Sequence, residues 1–368
     1  MAGSREATCP VERIEARAFR IPTDAPESDG TIAWDSTTLV LVEVSAGGKT
    51  GLGYSYASAA ARDVVADPLA GTVKGRDAFD IPEIWRLMVA AVRNLGWRGV
   101  CACAISAVDV ALWDLKAKLL NLPAVRLVGA SREEVPIYGS GGFTSYDDAR
   151  LKEQLGSWVA EAGCRAVKMK IGRAPAKDVG RVRAARSAIG DAELYVDANG
   201  ALRRKQALCF CREFADLGVT WFEEPVSSDD LAGLHLLRDR APAGMAVAAG
   251  EYGYDPFYFR RMLEAGAVDV LQADATRCGG FTGFLKAAAL AEAHNTPLSA
   301  HTAPALHLPV AAASPGLMNV EWFHDHARIE HMLFDGAPTP AGGCIRPNLS
   351  EPGLGLAFRE KAAAPFAL

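Results

Sequence analysis

Apolar and polar positions along the 368-residue chain fall into two textures. Near the N-terminus, strand-like alternation appears in VERIEARAFRI, TTLVLVEVSA and KTGLGYSYA, with Gly47-Gly48 as the turn between the last two. PTDAPESDG, between the first and second of these, reads as a polar loop. Helical sequence follows and ends in AISAVDVALWDLKAKLLNL before Pro123, with apolar residues at i, i+3 and i+4. Strands first and helices after predict a small α+β unit over residues 1–130.

From about Val135 the texture changes. Short strands rich in Val and Ile alternate with Ala/Arg/Glu-rich helices, the signature of parallel βα units. The strands read as VPIYGSGG, CRAVKMKI, AELYVDAN, VTWFEEPV, AVAAGEY, VDVLQAD, TPLSAHT and MNVEWF. Eight such units over 131–345 fit a closed (β/α)8-type barrel of the α/β class better than an open sheet. The Pro/Gly-rich tail, residues 346–368 with PGLGLAF, is expected to lie back on the first unit.

Charge and composition narrow the partners. A net charge of −5 offers no footprint for nucleic acid or an acidic membrane surface. No apolar run approaches the ~20 residues that span a bilayer. Met1 to Pro10 carries mixed charge and lacks the apolar stretch of a secretory leader. Eight cysteines, Cys9, Cys101, Cys103, Cys164, Cys209, Cys211, Cys278 and Cys344, lack zinc-site spacing and mostly sit in apolar sequence. They read as free thiols of a reducing, cytoplasmic compartment.

The chemistry lies at the strand ends. Lys168 and Lys170 close the second barrel strand, Asp197 and Asn199 the third, Glu223 and Glu224 the fourth and Glu251 the fifth. Asp274 closes the sixth, His301 the seventh and Glu321 the eighth. The C-terminal ends of barrel strands open onto one face, so these side chains converge on one mouth. Asp197, Glu223 and Glu251 would repel one another unless a cation sat among them. An all-oxygen set favours Mg²⁺, with Mn²⁺ as the other candidate.

Lys168 and Lys170 flank Met169, and period two puts both ammonium groups on one face, the barrel interior. Proximity and partial burial are expected to lower their pKa values and make one a base near neutrality. Asp274 beside His301 would fix the imidazole tautomer and support a general base. His294, His307, His324, His326 and His331 lack such a strand-end partner and read as structural or solvated.

These residues resemble the mandelate racemase subgroup of the enolase superfamily, whose sites pair a Lys or His base with Mg²⁺. The resemblance spans essentially the whole chain, through AVDVALWDLKAKLLNLP, AVKMKIG, YVDANG, WFEEPV, AGE, QADATRCGG and SAHT. It implies a modified (β/α)7β barrel with an N-terminal α+β capping domain. It makes Asp197, Glu223 and Glu251 the metal ligands, Lys170 a base on one face of the substrate, and Lys168 the group that orients its carboxylate. His301, paired with Asp274, becomes the base or acid on the opposite face. Glu321 would hydrogen-bond the enediolate, and Asn199 would line the site. Two departures narrow the subgroup. Muconate-lactonizing and dipeptide-epimerase relatives need a lysine where this chain has Asp274. Mannonate and galactonate dehydratase relatives carry a catalytic histidine where it has Asn199.

The expected reaction is abstraction of the proton α to a carboxylate in a small-molecule substrate. The polar segment Thr23 to Gly30 and the hydroxyls of GYSYAS at 53–58 suit a hydroxylated acid-sugar. Dehydration to a 2-keto-3-deoxy acid is therefore the leading expectation, with racemisation or epimerisation of a 2-hydroxy acid as the alternative. A sugar-acid-binding barrel without catalysis is a remote third, disfavoured because binding alone needs no bases on two faces. A Schiff-base aldolase would need a lone desolvated lysine. Assembly as a homo-oligomer is also expected.

Overall fold

A computed structural model of the protein describes residues 8–368. Most of the mixed-charge N-terminal stretch, residues 1–7, lies outside the described residues.

The N-terminal unit is an antiparallel sheet of β1 (Arg13–Ser28), β2 (Ala33–Ala46) and β3 (Lys49–Tyr56). Gly47 and Gly48 turn β2 into β3 with φ of 55° and 72°, left-handed values that a two-residue hairpin needs. Alternation in β2 sends Val40, Val42 and Val44 to the unit's own helices, while Leu39 and Leu41 join the core shared with the barrel. The helix Val100–Leu119 crosses β3 so closely that a Cβ at Gly53 would lie 2.2 Å from the Ala107 carbonyl oxygen.

The expected loop over PTDAPESDG is corrected by the structure. β1 continues to Ser28 with a shift of register between Pro22 and Glu27. Its polar side chains find partners that a sequence window does not contain. Trp34 Nε1 donates to Glu27 Oε2 at 2.8 Å, and the Ser28 and Thr144 hydroxyls lie 2.6 Å apart.

Eight parallel strands follow: β4 (Val135–Gly141), β5 (Ala166–Lys170), β6 (Glu193–Asp197), β7 (Val219–Glu223), β8 (Ala246–Ala249), β9 (Val270–Ala273), β10 (Leu298–Ala300) and β11 (Leu317–Phe323). They pair in chain order, and Val320 opposite Ile137 closes β11 onto β4. The closed barrel is the architecture that the strand count predicts.

Alternation inside the barrel builds the site. Val167 and Met169 of β5 pack outward, in the core shared with the surrounding helices, while Ala166 belongs to the interior layer. Tyr138, Tyr195 and Trp221 fill that layer, the last two stacked with ring centroids 4.9 Å apart. Two residues further along, the same face of β5, β6 and β7 carries Lys168, Asp197 and Glu223, so an ionic layer sits directly on an aromatic plug.

After β11 the chain makes β12 (Phe334–Asp335) and then β13 (Cys344–Ile345), which runs antiparallel to β4. β14 (Ala357–Phe358) pairs with β12. The tail contacts the N-terminal unit: Leu354 N donates to Asp114 Oδ1 at 2.6 Å, the Phe358 and Phe19 rings lie 5.3 Å apart, and Leu368 N donates to Ala18 O. No described helix is long and apolar enough to cross a membrane.

Candidate active site

Carboxylate oxygens of Asp197, Glu223 and Glu251 come within 4.8 Å of one another, and all three residues are buried. Glu223 Oε1 accepts from Lys168 Nζ at 2.6 Å, and its Oε2 accepts from Trp221 Nε1 and Gln272 Nε2, each at 3.0 Å. Asp197 Oδ2 accepts from Lys170 Nζ at 2.5 Å and Oδ1 from the Asn199 backbone at 2.8 Å. Glu251 Oε2 has no hydrogen-bond partner, although His301 Nε2 lies 3.2 Å away without hydrogen-bond alignment. Burial, and next the charge of Asp197, push the Glu223 carboxyl up to about 8 despite Lys168. A buried oxygen left free, a crowded set of like charges and an all-oxygen donor set fit a hard divalent cation.

The two lysines share the interior face of β5, but their ionisation is opposite to expectation. Burial alone would lower both pKa values. For Lys168 it is outweighed by Glu223 and then Glu321, whose Oε1 lies 2.8 Å from Nζ. For Lys170 it is outweighed first by Asp197. Both are therefore raised, because each ammonium meets carboxylates from neighbouring strands more closely than sequence spacing reveals.

His301 Nδ1 lies 2.8 Å from Asp274 Oδ2, and Asp274 Oδ1 accepts from Thr276 N and Oγ1 at 2.7 Å each. Burial opposes the imidazolium, but Glu251, then Glu321 and Asp274, raise the His301 pKa to about 9. The same partnership, with Arg277, holds Asp274 below the usual carboxylate range despite its burial. Glu321 Oε1 also accepts from Ser140 Oγ at 2.6 Å, and its Oε2 from Thr302 N.

A cavity of about 360 Å³ lies between the barrel mouth and the N-terminal unit. Lys170, Asn199, Glu251 and His301 line its floor, and the Asn199 side-chain oxygen has no partner. Lys168 and Glu321 do not reach it: both are fully covered beneath the lining.

Several lining residues escape sequence reasoning. Arg277, within QADATRCGG, lies over the Tyr252 ring and 3.4 Å from Glu251 Oε1. Trp34 comes from β2, whereas Tyr56 and Ser58, which also line the cavity, lie in the GYSYAS stretch that the sequence reads as a source of hydroxyls. His326, which reads as structural or solvated, instead lines the cavity, stacked on Tyr56 with centroids 3.5 Å apart. Its signal was its place: the first turn of the helix after an end-of-barrel strand overhangs the mouth. His307 is structural, accepting from Ala275 N at 2.7 Å, and His324 pairs with Asp24 at 3.0 Å.

Comparison with known proteins follows this geometry. Residues 14–129 match the mandelate racemase/muconate lactonizing enzyme N-terminal domain, and residues 150–362 match the enolase C-terminal domain-like family. A mandelate racemase/muconate lactonizing enzyme-like protein from Rubrobacter xylanophilus superposes with a TM-score of 0.95 at 53% identity, covering 98% of this chain and all of that one. The 3,6-anhydro-alpha-L-galactonate cycloisomerase of Streptomyces coelicolor is 36% identical over 83% of this chain and 86% of its own. The L-talarate/galactarate dehydratase of Salmonella typhimurium LT2 is 33% identical over 91% of this chain and 88% of its own. Its structure liganded with Mg and L-lyxarohydroxamate superposes with a TM-score of 0.91 at 28% identity, over all of this chain and 95% of that one.

Proposed function

This chain belongs to the mandelate racemase/muconate lactonizing enzyme family, and on that premise we propose that it dehydrates an acid-sugar to a 2-keto-3-deoxy acid. The observation that carries the reading is one cavity holding Lys170 and the Asp274-backed His301 on its floor, with hydroxyls of Ser36, Thr37, Thr38 and Ser58 on its wall. A polyhydroxylated acid satisfies such a wall, whereas an aryl substrate would bury its hydroxyls unpaired.

Asp197, Glu223 and Glu251 would hold Mg²⁺, which when bound supplies the positive charge that makes an α-proton acidic and an enediolate tolerable. With Asp197 given over to the cation, Lys170 would lose the partner that holds its proton; as the free amine it takes the α-proton, and the C–H electron pair moves into the carboxylate. His301 as the imidazolium, held by Asp274 at Nδ1, gives its Nε2 proton to the β-hydroxyl. The β-carbon–oxygen bond breaks, water leaves, and the enol tautomerises to the keto acid. Lys168, held against Glu223 and Glu321, contributes fixed positive charge beneath the reacting carboxylate. Glu321, through Ser140 and the Thr302 amide, keeps that charge in place. The unpartnered Asn199 oxygen is free to accept from a substrate hydroxyl.

Two groups able to exchange protons in one cavity also favour a second reading, racemisation or epimerisation of a 2-hydroxy acid. Turnover of an acid-sugar panel with Mg²⁺ separates them: dehydration yields 2-keto acid, and inverted acid without keto acid would replace the first reading by the second.

The reading places the enzyme in the cytoplasm, supported by cysteines that are all free, five of them buried. It includes self-assembly, supported by the exposed apolar side chains of Leu95 and Phe257, the latter meeting the Trp97 ring edge-on. Sedimentation at working concentration checks this, and a monomer would remove it.

A further inference from the structure

The charges around the cavity are unevenly placed. Its cations stand on the barrel floor and are already committed. Lys170 donates to Asp197, His301 is bound to Asp274, and Arg277 lies 3.4 Å from Glu251 and 3.5 Å from Asp274. The wall supplied by the N-terminal unit and by the turn after β11 is of another kind. Trp34, Tyr56 and Phe323 offer ring faces, and Ser36, Thr37 and Ser58 offer hydroxyls. Among the described residues, no lysine or arginine lines this wall.

What charge the wall has is negative. Asp29 lines it, with Oδ1 taken by the Thr31 and Ile32 amides. Glu27 lies behind Trp34 and adds little charge, because burial pushes its carboxyl up to about 8; Asp325 lies behind Thr37, whose hydroxyl donates to it. Arg328, on the helix after β11, is consumed by Asp325 and the Pro22 carbonyl. His326 adds no charge, since burial and then the charge of His301 hold its imidazole well below the usual range. It stands neutral against Tyr56, and its Nδ1 has no hydrogen-bond partner.

A substrate with a carboxylate at each end would seat one at the metal end and press the other against this wall. There it would be desolvated, lack a cation and face Asp29, an uncompensated buried charge. A hydroxylated, uncharged end meets no such penalty. It finds hydroxyls to exchange hydrogen bonds with, ring faces for its C–H groups and a neutral imidazole as donor or acceptor.

We infer that the substrate is a monocarboxylic polyhydroxy acid, an aldonate and not an aldarate, with its far end read by the Tyr56–His326 pair and the hydroxyl wall. This deepens the dehydratase reading and rests on it.

The test uses the wild-type enzyme with Mg²⁺ and pairs of aldonates and aldarates matched in length and configuration, scored by 2-keto acid formation. Aldonates should exceed their aldarate partners in kcat/KM on the order of 10²-fold or more. Ser36→Arg, which sets a cation on a part-exposed stretch of the wall, should narrow or reverse that ratio. Equal or better turnover of aldarates by the wild type would overturn the inference while leaving the dehydratase reading intact. If neither class gave keto acid or solvent exchange at the α-carbon, the dehydratase reading itself would fall, and this inference with it.

Discussion

His301 meets Asp274 through Nδ1 at 2.8 Å, which leaves Nε2 facing Glu251 and Glu321 at 3.2 and 3.7 Å. The carboxylate is itself immobilised by Thr276, so ring orientation and tautomer are both set before substrate arrives. Asp274→Asn should keep the fold and lose ~10²- to 10⁴-fold in kcat, because the amide no longer stabilises the imidazolium. Steady-state rates alongside a melting curve decide this. A variant with full activity would remove the dyad from the chemistry.

A second expectation concerns the carboxylates. Mg²⁺ binding to the folded chain alone should raise the melting temperature, with about 2.7 kcal/mol of stabilisation at a hundredfold excess over Kd. Asp197→Asn, Glu223→Gln and Glu251→Gln should each abolish that shift and nearly all activity. Each shift is read against the variant's own metal-free melting curve, since Asp197 and Glu223 also hold the buried Lys170 and Lys168 ammonium groups. A Mg²⁺-induced shift that survived all three would place the ion elsewhere.

Glu330 ties the barrel to the N-terminal unit. Its Oε1 accepts from Tyr54 Oη at 2.6 Å, its Oε2 accepts from Ala305 N, and burial pushes its carboxyl up to about 8. A carboxyl whose pKa is raised on folding contributes stability below its unfolded value, near 4.5, and loses it as pH rises through about 8. The wild type should therefore weaken across that window. Glu330→Gln, whose amide oxygen can still accept from Ala305 N while its NH2 turns the Tyr54 hydroxyl from donor to acceptor, should weaken less, by an amount on the order of 1 kcal/mol or more. Urea midpoints at about pH 5 and about pH 9 test the difference, and parallel slopes for the two proteins would contradict it.

Truncation after Ser350 should cost stability. It removes the Leu354–Asp114 hydrogen bond, the Phe358 ring between Phe19 and Phe334, and the Arg17–Glu360 pair. The exposed ion pair is worth little, so the loss should come from the aromatic packing and from Asp114 Oδ1, which loses its Leu354 donor while Oδ2 keeps Leu52 N and Lys118. A fall in melting temperature on the order of 5 °C is expected, and an unchanged curve would show the tail to be dispensable.

The site was legible in the sequence wherever a strand period fixes direction. Lys168 and Lys170 had to share a face because one residue separates them, and Asp197, Glu223 and Glu251 had to converge because barrel strands share an open end. Nothing comparable constrains the cavity wall. Trp34, Tyr56 and His326 meet only because the N-terminal sheet docks over the mouth; Arg277 belongs to the floor but leaves its strand on a loop, which no strand period fixes. The lysine ionisation was misread for a related reason. Sequence spacing shows the neighbouring lysine, whereas the carboxylates that hold each proton lie 27 and 55 residues away. The strand ending at Ser28 was hidden because Trp34 and Thr144 satisfy its polar side chains from outside the local window.

The remaining expectation concerns the two proton-transfer groups and discriminates between the two reactions. If Lys170 abstracts the α-proton and His301 expels the β-hydroxyl, Lys170→Ala should abolish both keto-acid formation and deuterium uptake at the α-carbon in D₂O. His301→Asn should block loss of water yet retain α-exchange, because abstraction precedes departure of the leaving group. In a racemase, neither mutant would form keto acid at any stage, and each would exchange the proton of one enantiomer only. Removal of a general acid or base is typically worth ~10²- to 10⁴-fold, so either pattern stands clear of assay error. The asymmetry matters because both residues line one cavity and both bear carboxylate partners, Asp197 for Lys170 and Asp274 for His301. Electrostatics alone therefore does not rank them, whereas the position of the isotope does. Full activity in both variants on a turned-over substrate would remove both groups from proton transfer and leave the carboxylate cluster as the only part of the assignment still standing.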